Sequence, residues 1–543
     1  MRWWGWGEPA EPVTLAAEGS AYLRSRLELG ESFPLVQHVE LADVQLPPAA
    51  LPERPASALR AAVGADNFHA DPETRVRHAA GRSYPDLVRL RSGRLEQAPD
   101  AVVSPADAGE VAEMLRICNT EGVAVVPFGG GTSVVGGVEP LRDGFPAVVS
   151  IDLARLDSLT TDARSLTATI GGGLAGRVAE ARLQEGGLTL GHFPQSFEFA
   201  SVGGYVATRS AGQASTGYGR IDDLVLGLRM VAPTGELVVH PVPASAAGPS
   251  VRELVVGSEG VLGVIVEVTL AVRPLPRARR YEGWSFRGFN EGYEAFRALE
   301  QARSSPDVAR LSDPEETSLA LALSSRGSLA DRAGRAYLRA RGHAGGCIAI
   351  VGWEDEPMAV EHRASDARRL LRSHGGLPLG TRPGRAWLRT RYLAPYLRDA
   401  LMDRGILVET LETATTWTRL GELHDAVASA LRGALAAGGS PSIVACHVSH
   451  LYPSGASLYF TFMARARPGE ELDEWRGAKE AASRAIVQHG GTITHHHAVG
   501  RDHLPWMRDE VGSLGIEMLR AAKERLDPRG IMNPGKLLPA PDR

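Results

Sequence analysis

Three cysteines in 543 residues are too few and too widely spaced for a disulfide or zinc framework. Cys118, Cys347 and Cys446 each lie among apolar residues, which implies buried thiols in a reducing compartment. No run of about 18 apolar residues occurs, so no segment reads as a membrane span. The opening Met-Arg-Trp-Trp-Gly-Trp-Gly lacks the apolar core of a signal peptide. Lysine is scarce beside arginine, a bias that fits GC-rich coding better than function. The formal net charge of -5 lacks the basic excess of a nucleic-acid binder. With 43% hydrophobic and 23% charged residues, the balance is that of a soluble globular chain. Its length asks for two or more domains, and no internal repeat is found.

Glycine is abundant, and its densest run carries the most information. Pro127-Phe128-Gly129-Gly130-Gly131-Thr132-Ser133 is followed by two valines, Gly136 and Gly137. Three residues without side chains let main-chain N–H groups approach a ligand and turn toward its oxygens. Thr132 and Ser133 add hydroxyls, which completes the chemistry a pyrophosphate needs. A plain surface loop is the alternative reading. Upstream, Ser104 reads as a helix N-cap, with Pro105 at the first helical position and Asp107 in the first turn. Val111, Met114, Leu115 and Cys118 then make one apolar helical face, and Gly122 stops it. Val123 to Val126 and Ala147 to Leu153 read as strands on either side of the glycine run. A dinucleotide fingerprint has a strand entering the loop and a helix leaving it, so an ordinary Rossmann site is disfavoured.

Two further loops rich in small residues follow. One spans Gly191 to Gly212; the other is Gly257-Ser258-Glu259-Gly260-Val261-Leu262-Gly263. Each alone reads equally well as turn glycines. Together, three such loops in one unit suggest a ligand too long for one loop, and FAD is of that kind.

The chain divides coarsely into residues 1–95, Pro- and Ala-rich with scattered helix signals; 96–275, rich in short strands; 276–480, strands alternating with helices such as 418–437; and 481–543. Ile265 to Val272 alternates as a half-buried strand should, and Cys347 to Trp353 and Leu458 to Met463 are strand-like. Residues 315–345 are Ala-, Ser- and Arg-rich with weak periodicity, expected as a mobile surface helix or loop.

The three loops together resemble the vanillyl-alcohol-oxidase (PCMH-type) FAD-binding superfamily. Within it the resemblance narrows to the alkyldihydroxyacetonephosphate synthase (alkylglycerone-phosphate synthase) family and covers nearly the whole chain. It rests on the opening Trp-Gly-Trp-Gly, on Thr216 to Val225, on Tyr396-Leu-Arg398-Asp399, and on Glu409-Thr-Leu-Glu-Thr413. Leu458-Tyr459-Phe460 and the segment Thr494-His495-His496-His497-Ala-Val-Gly500 complete it, the His triplet being the most specific.

What this implies is an α+β protein: a two-subdomain PCMH-type FAD-binding domain at 96–275, and an α+β cap with an antiparallel sheet at 276–480. Residues 481–543 would complete the active site and pack on the FAD domain. Pro127 to Ser133 would wrap the FAD pyrophosphate. Gln195, Ser196, Phe197, Glu198, Phe199, Ala200 and Ser201 would line the flavin with Thr208, Arg209, Ser210 and Ala211. Gly257 to Gly263 would close over the adenine and ribose side. The glycine loop holds neither His nor Cys, so FAD is expected to be held non-covalently. Tyr459, His495, His496, His497 and Arg310 match catalytic positions, and Arg398 matches a substrate-phosphate arginine. No metal is expected. The implied reaction exchanges the acyl group of an acyl-dihydroxyacetone phosphate for a fatty alcohol, without net oxidation. Small-molecule lipid substrates follow, with peripheral contact at a membrane surface, no nucleic acid, and a homodimer as the expected assembly. Neither end shows a peroxisomal address, which fits a cytoplasmic protein.

The residues also have their own chemistry. Arginine's planar fork pairs two phosphate oxygens at once, but Arg398 beside Asp399 equally suits a surface ion pair. Tyr459 on an apolar strand is often simply core. For proton transfer near neutral pH it needs a lowered pKa, which a nearby histidine or arginine charge would supply. A solvated or metal-binding run is the other reading of the triplet. On a strand, His495 and His497 would share one face and His496 the other, so one metal would not take all three. Three departures from the family pattern occur, at Gly212 to Thr216, at Gln195 and at Arg501 to Trp506. They put the exact substrate in doubt. A 2-hydroxyacid or alcohol dehydrogenase on the same fold is the redox alternative; its acidic-His-Gly motif is absent here. A flavin-binding scaffold without chemistry is the non-enzymatic alternative.

Overall fold

A computed structural model describes residues 1–8, 15–30, 35–325 and 328–540. Among these residues the longer strands form three sheets. The first holds Val123–Phe128, parallel to Ala147–Asp152, which is parallel to Ala101–Val103. Phe68–His69 closes its edge antiparallel. Val123 to Val126 are all buried, as a parallel sheet covered on both faces requires. The helix Ala108–Glu121 covers it with Val111, Met114, Leu115 and Cys118. Asp107, and not Ser104, caps that helix: its carboxylate accepts the Glu110 N–H at 2.9 Å. Proline at 105 belongs to the approach, three residues before the first helical residue, Ala108. Gly122 ends the helix in the left-handed region at φ 68°.

The second sheet is antiparallel, in the order Leu159–Asp162, Thr167–Gly171, Val264–Ala271, Val225–Ala232, Gly235–Val239. The alternation read at Ile265 to Val272 appears as buried residues interleaved with half-buried ones along Val264–Ala271. The third sheet has seven antiparallel strands: Leu377–Gly380, Ala278–Phe286, Cys347–Asp355, Val308–Ser312, Ser442–Tyr452, Gly455–Arg465 and Ile406–Thr416. Trp284, Phe286, Trp353, Phe460 and Phe462 are fully buried in its core with the helices Phe289–Gln301, Pro357–Ser373, Leu420–Ala437 and Glu471–Gln488. The class is α+β, as expected. All three cysteines are buried and free.

Of the helix or loop expected over residues 315–345, the structure shows helices. Pro314–Ser324 is a helix capped by Asp313, which accepts the Glu316 N–H at 2.7 Å, and Leu329–Ala340 is a second helix. Residues 326–327 of that segment lie outside the described residues. The first helix sits under the seven-stranded sheet because Leu319 and Thr317 are buried there. At the far end of the chain, Ile531 and Asn533 bond Val125 on both sides, at 2.8 and 2.7 Å, so the C-terminal turn docks on the first sheet.

Candidate active site

The three small-residue loops meet. A side chain at Gly130 would sit 1.9 Å from the carbonyl oxygen of Phe199, and one at Gly129 would sit 2.2 Å from Ser201 Oγ. The glycine run therefore lies flat on the second loop. Gly260 of the third loop packs on Pro127, with 2.9 Å between its virtual Cβ and the proline ring. Only glycine permits these approaches, and Gly131, at φ 64°, also needs glycine's backbone freedom. Gly257 and Glu259 donate to the carbonyls of Val206 and Ala207 at 2.9 Å each, fastening the third loop to the helix Val202–Ala207. Ser201 caps that helix through the Gly204 N–H.

Within the described residues, the main-chain N–H groups of Gly129 to Val134 donate to no protein acceptor. Six consecutive amides without partners, buried at Gly131 and half-buried at the others, are costly unless a ligand or solvent takes them, and such a row suits an anion. Nearby, Gln195 Nε2, Arg209 Nε and Ser258 Oγ are buried without partners. These orphaned polar atoms fit a polar, many-atom ligand such as a flavin nucleotide.

The last three strands of the seven-stranded sheet, Ser442–Tyr452, Gly455–Arg465 and the edge strand Ile406–Thr416, carry the next group. Tyr459 lies directly opposite Glu412 on one neighbouring strand and His447 on the other. Strand register thus puts acid, phenol and imidazole in one row on one face. The His447 ring stacks on Tyr459 with centroids 4.9 Å apart.

The His triplet is not on a strand; it is a tight loop wound around Glu412. That carboxylate accepts the main-chain N–H of His495, of His496 at 3.0 Å and of His497 at 2.8 Å, and the Thr494 hydroxyl at 2.7 Å. The expected alternation of faces therefore fails: a buried carboxylate gathers successive amides, which a flat strand cannot present to one point. Glu259 holds the other end of the segment, accepting the N–H of Val499 at 2.8 Å and of Gly500 at 2.7 Å. So Glu259, expected on the adenine side, directs its side chain to the histidine segment.

His495 Nε2 lies 2.6 Å from the Tyr452 hydroxyl, and His495 Nδ1 lies 2.9 Å from His496 Nδ1. His496 and His497 pack against Tyr459 with ring centroids at 5.9 and 5.4 Å. His450 joins the group, and ligand atoms of His450, His495 and His496 lie within 4.8 Å of one another. Those rings already have partners: His450 reaches the Ser457 hydroxyl at 3.1 Å and the Gly212 carbonyl at 3.0 Å. Hydrogen bonds therefore hold this cluster together.

The two arginines take distinct places. Arg310 donates to Glu316 at 2.8 Å and reaches His447 Nε2 at 3.0 Å, while His447 Nδ1 lies 2.9 Å from the same Glu316. Arg398 forms no ion pair with the adjacent Asp399, which pairs with Arg91 and accepts the Trp6 N–H. Arg398 donates instead to the Arg82 carbonyl at 2.7 Å and keeps a buried, unpartnered Nε. Arg82 in turn donates its N–H to Ser133 at 2.6 Å, which ties this arginine to the glycine loop. The opening Trp-Gly-Trp-Gly is packed here too: Trp6 stands edge-on to Phe199 at 5.2 Å.

Burial governs the charges. It pushes His496 down to about 3 and His497 to about 4, and holds His495 and His450 well below the usual histidine value. The imidazoles are therefore neutral donors and acceptors. Glu412 is buried, which opposes its charge, yet it lies well below the usual carboxylate range through its coupling to the three histidines, whose main-chain N–H groups it accepts. Burial pushes Tyr459 up to about 12, assisted by Glu409 and Glu412. The lowered tyrosine pKa expected from neighbouring positive charge is thus reversed, because these histidines are neutral and the closest charges are carboxylates. Tyr459 is a protonated phenol, fit to give a proton or a hydrogen bond.

Five members of this site escaped sequence reasoning as chemistry: Glu412, Glu316, His447, His450 and Tyr452. Glu412 carried a signal, one of two acids, with Glu409, inside the otherwise apolar and Thr-rich strand Ile406–Thr416. His447 and His450 had one too, as polar interruptions of the buried strand Ser442–Tyr452.

Residues 99–240 match a family of FAD binding domains, and residues 275–537 match the C-terminal domain of FAD linked oxidases. Fold and site thus define an FAD-dependent enzyme of the PCMH-type class. The chain is 33% identical over 482 residues to alkyldihydroxyacetonephosphate synthase of Dictyostelium discoideum, covering 87% of this chain and 79% of that one. It is 32% identical over 511 residues to the synthase of Trypanosoma brucei brucei, covering 92% and 83%. A solved alkyldihydroxyacetonephosphate synthase superposes with a TM-score of 0.86 at 28% identity, covering 99% of both chains. The chain belongs to the alkyldihydroxyacetonephosphate synthase family, and its cofactor is FAD.

Proposed function

We propose that the enzyme exchanges the acyl group of an acyl-dihydroxyacetone phosphate for a fatty alcohol, forming an ether bond without net redox change. The unpaired amide row of Gly129 to Val134, joined to the histidine segment by the Arg501 N–H on the Val135 carbonyl at 2.8 Å, carries this reading together with the Tyr459–histidine cluster. In it, residues 96–275 bind FAD, 276–480 form the cap, and 481–543 return to complete the site. Pro127 to Ser133 take the pyrophosphate, and Gln195 to Ser201 with Thr208 to Ala211 line the ring. FAD is held non-covalently. When bound, it supplies an electrophilic centre able to hold the three-carbon unit while the acid leaves and the alcohol enters. The protein's share is positional and protic. Arg398, with its free Nε, anchors the phosphate. Tyr459 and His496 hold and move the proton at the reacting carbon, and Arg310 orients His447 against Tyr459 through Glu316.

The long-chain partners reside in membranes, and no helix among the described residues is long and apolar enough to cross one. Peripheral docking at a membrane surface follows, testable by vesicle flotation; a homodimer is testable by light scattering. For the reaction itself, the FAD-loaded protein is incubated with palmitoyl-dihydroxyacetone phosphate and hexadecanol. Mass spectrometry should find the alkyl ether and free palmitate in equal amounts. Bleaching of the flavin band by D-2-hydroxyacids under anaerobic conditions, with no ether formed, would overturn the reading in favour of a dehydrogenase.

A further inference from the structure

The reaction moves a proton inside a buried site, and the structure holds one continuous row of bonded groups leading outward. His496 Nδ1 lies 2.9 Å from His495 Nδ1, and His495 Nε2 lies 2.6 Å from the Tyr452 hydroxyl. Tyr452, at the end of its strand, and His496 are half-buried, and His495 between them is buried. It lines a pocket of about 450 Å³ with Thr415, Thr416, Arg419, Ser454 and Gly490, of which Thr416, Arg419 and Ser454 are exposed. Its hydroxyl also bonds Arg220, which pairs with the partly exposed Asp222 at 2.9 Å.

We infer that Tyr452, His495 and His496 form a proton relay between the reacting carbon and the solvent-facing pocket beside Arg419. This deepens the function proposed above and rests on it. The phenol proton passes to His495 Nε2, the His495 Nδ1 proton passes to His496 Nδ1, and the His496 Nε2 proton goes to the substrate. Solvent returns one proton to the Tyr452 oxygen, so each O–H or N–H bond broken is matched by one formed. The reverse order exports a proton. The net transfer leaves the imidazoles neutral. That suits a cavity where Glu412 is the buried anion and where His447, His450, His497 and Arg220 are the other groups facing the row. Tyr452 is a positioning and relay residue, since it reaches the substrate only through the two rings.

The test is Tyr452→Phe in the full-length, FAD-loaded enzyme. Turnover should fall about a hundredfold with KM and flavin content within about twofold of wild type. Added imidazole, small enough for the pocket, should restore part of the lost turnover and leave wild type unaffected. Turnover within about twofold of wild type overturns the relay, as does a loss that imidazole does not rescue. Wild-type turnover is measured in parallel, so absence of ether synthesis there is a failure of the functional reading alone. In that event the relay is judged from ¹⁵N-histidine NMR. Tyr452→Phe should move the His495 and His496 ring-nitrogen signals, and an unchanged spectrum overturns it.

Discussion

Glu259 accepts the main-chain N–H of Gly500 at 2.7 Å. One residue belongs to the third small-residue loop of the FAD-binding unit, and the other closes the histidine segment. The carboxylate thus locks the third small-residue loop to the histidine segment, while Glu412 clamps the same segment from the seven-stranded sheet. A cofactor seated in the loops meets histidines already in position.

Gly130→Ala should cost the protein its flavin. The added methyl would fall 1.9 Å from the Phe199 carbonyl oxygen, so the first two loops must part. The ratio of flavin to protein absorbance should drop severalfold in purified material. A fully yellow variant would contradict the seat assigned to that loop.

Tyr459→Phe should keep FAD and fold, because the phenol ring stays packed between His447 and His496. Ether formation should fall by about 10²–10⁴, the usual worth of general acid–base catalysis. Turnover near wild type would remove Tyr459 from the chemistry.

Arg398→Lys keeps the positive charge but loses the planar fork. KM for the phosphate-bearing substrate should rise at least about tenfold, equivalent to about 1.4 kcal/mol, with a smaller change in kcat. An unchanged KM would assign Arg398 to structure through its bond with Arg82.

Glu412→Ala removes the acceptor of three main-chain amides and one hydroxyl in a fully buried place. Stability should fall by about 3–5 kcal/mol, as when one partner is taken from a buried charged network. Urea denaturation measures this; a loss under about 1 kcal/mol would show that the histidine loop holds itself.

Acid should weaken the fold from pH 6.5 downward. His192 and His496 are pushed to about 3, and His497 and His503 to about 4, by burial. Unfolded, each titrates near about 6.5, so the unfolded chain binds more protons between these values. The stability they lend is complete above the unfolded value and is lost as pH falls through that window. Glu259 and Asp502, raised to about 7 by burial, act oppositely: their share is complete below the ordinary carboxylate range and is lost as pH rises toward 7. Four histidines outweigh two carboxylates, so the urea midpoint should be lower at pH 5.5 than at pH 7. A higher midpoint at pH 5.5 would reverse the balance.

The glycine run, the strands around it and the helix Ala108–Glu121 were legible because each is a local pattern: bare residues, β-branched runs, one apolar helical face. The cap of that helix was misread by three residues because Ser104 and Asp107 both satisfy capping chemistry locally. The His triplet was legible as a motif but not as a shape. Its loop depends on Glu412, more than 80 positions upstream, and nothing in Thr494 to Gly500 announces that carboxylate.

Sequence alone determined the family, the flavin chemistry and the residues able to supply it, since side-chain type and short spacing set what a segment can bind. Tertiary structure decided which protonation state each group holds and which groups meet. Burial made the histidines neutral and Tyr459 a weak acid, and strand register set Glu412, Tyr459 and His447 in one row. Both effects arise from neighbours far away along the chain, whose desolvation and distance no local pattern encodes.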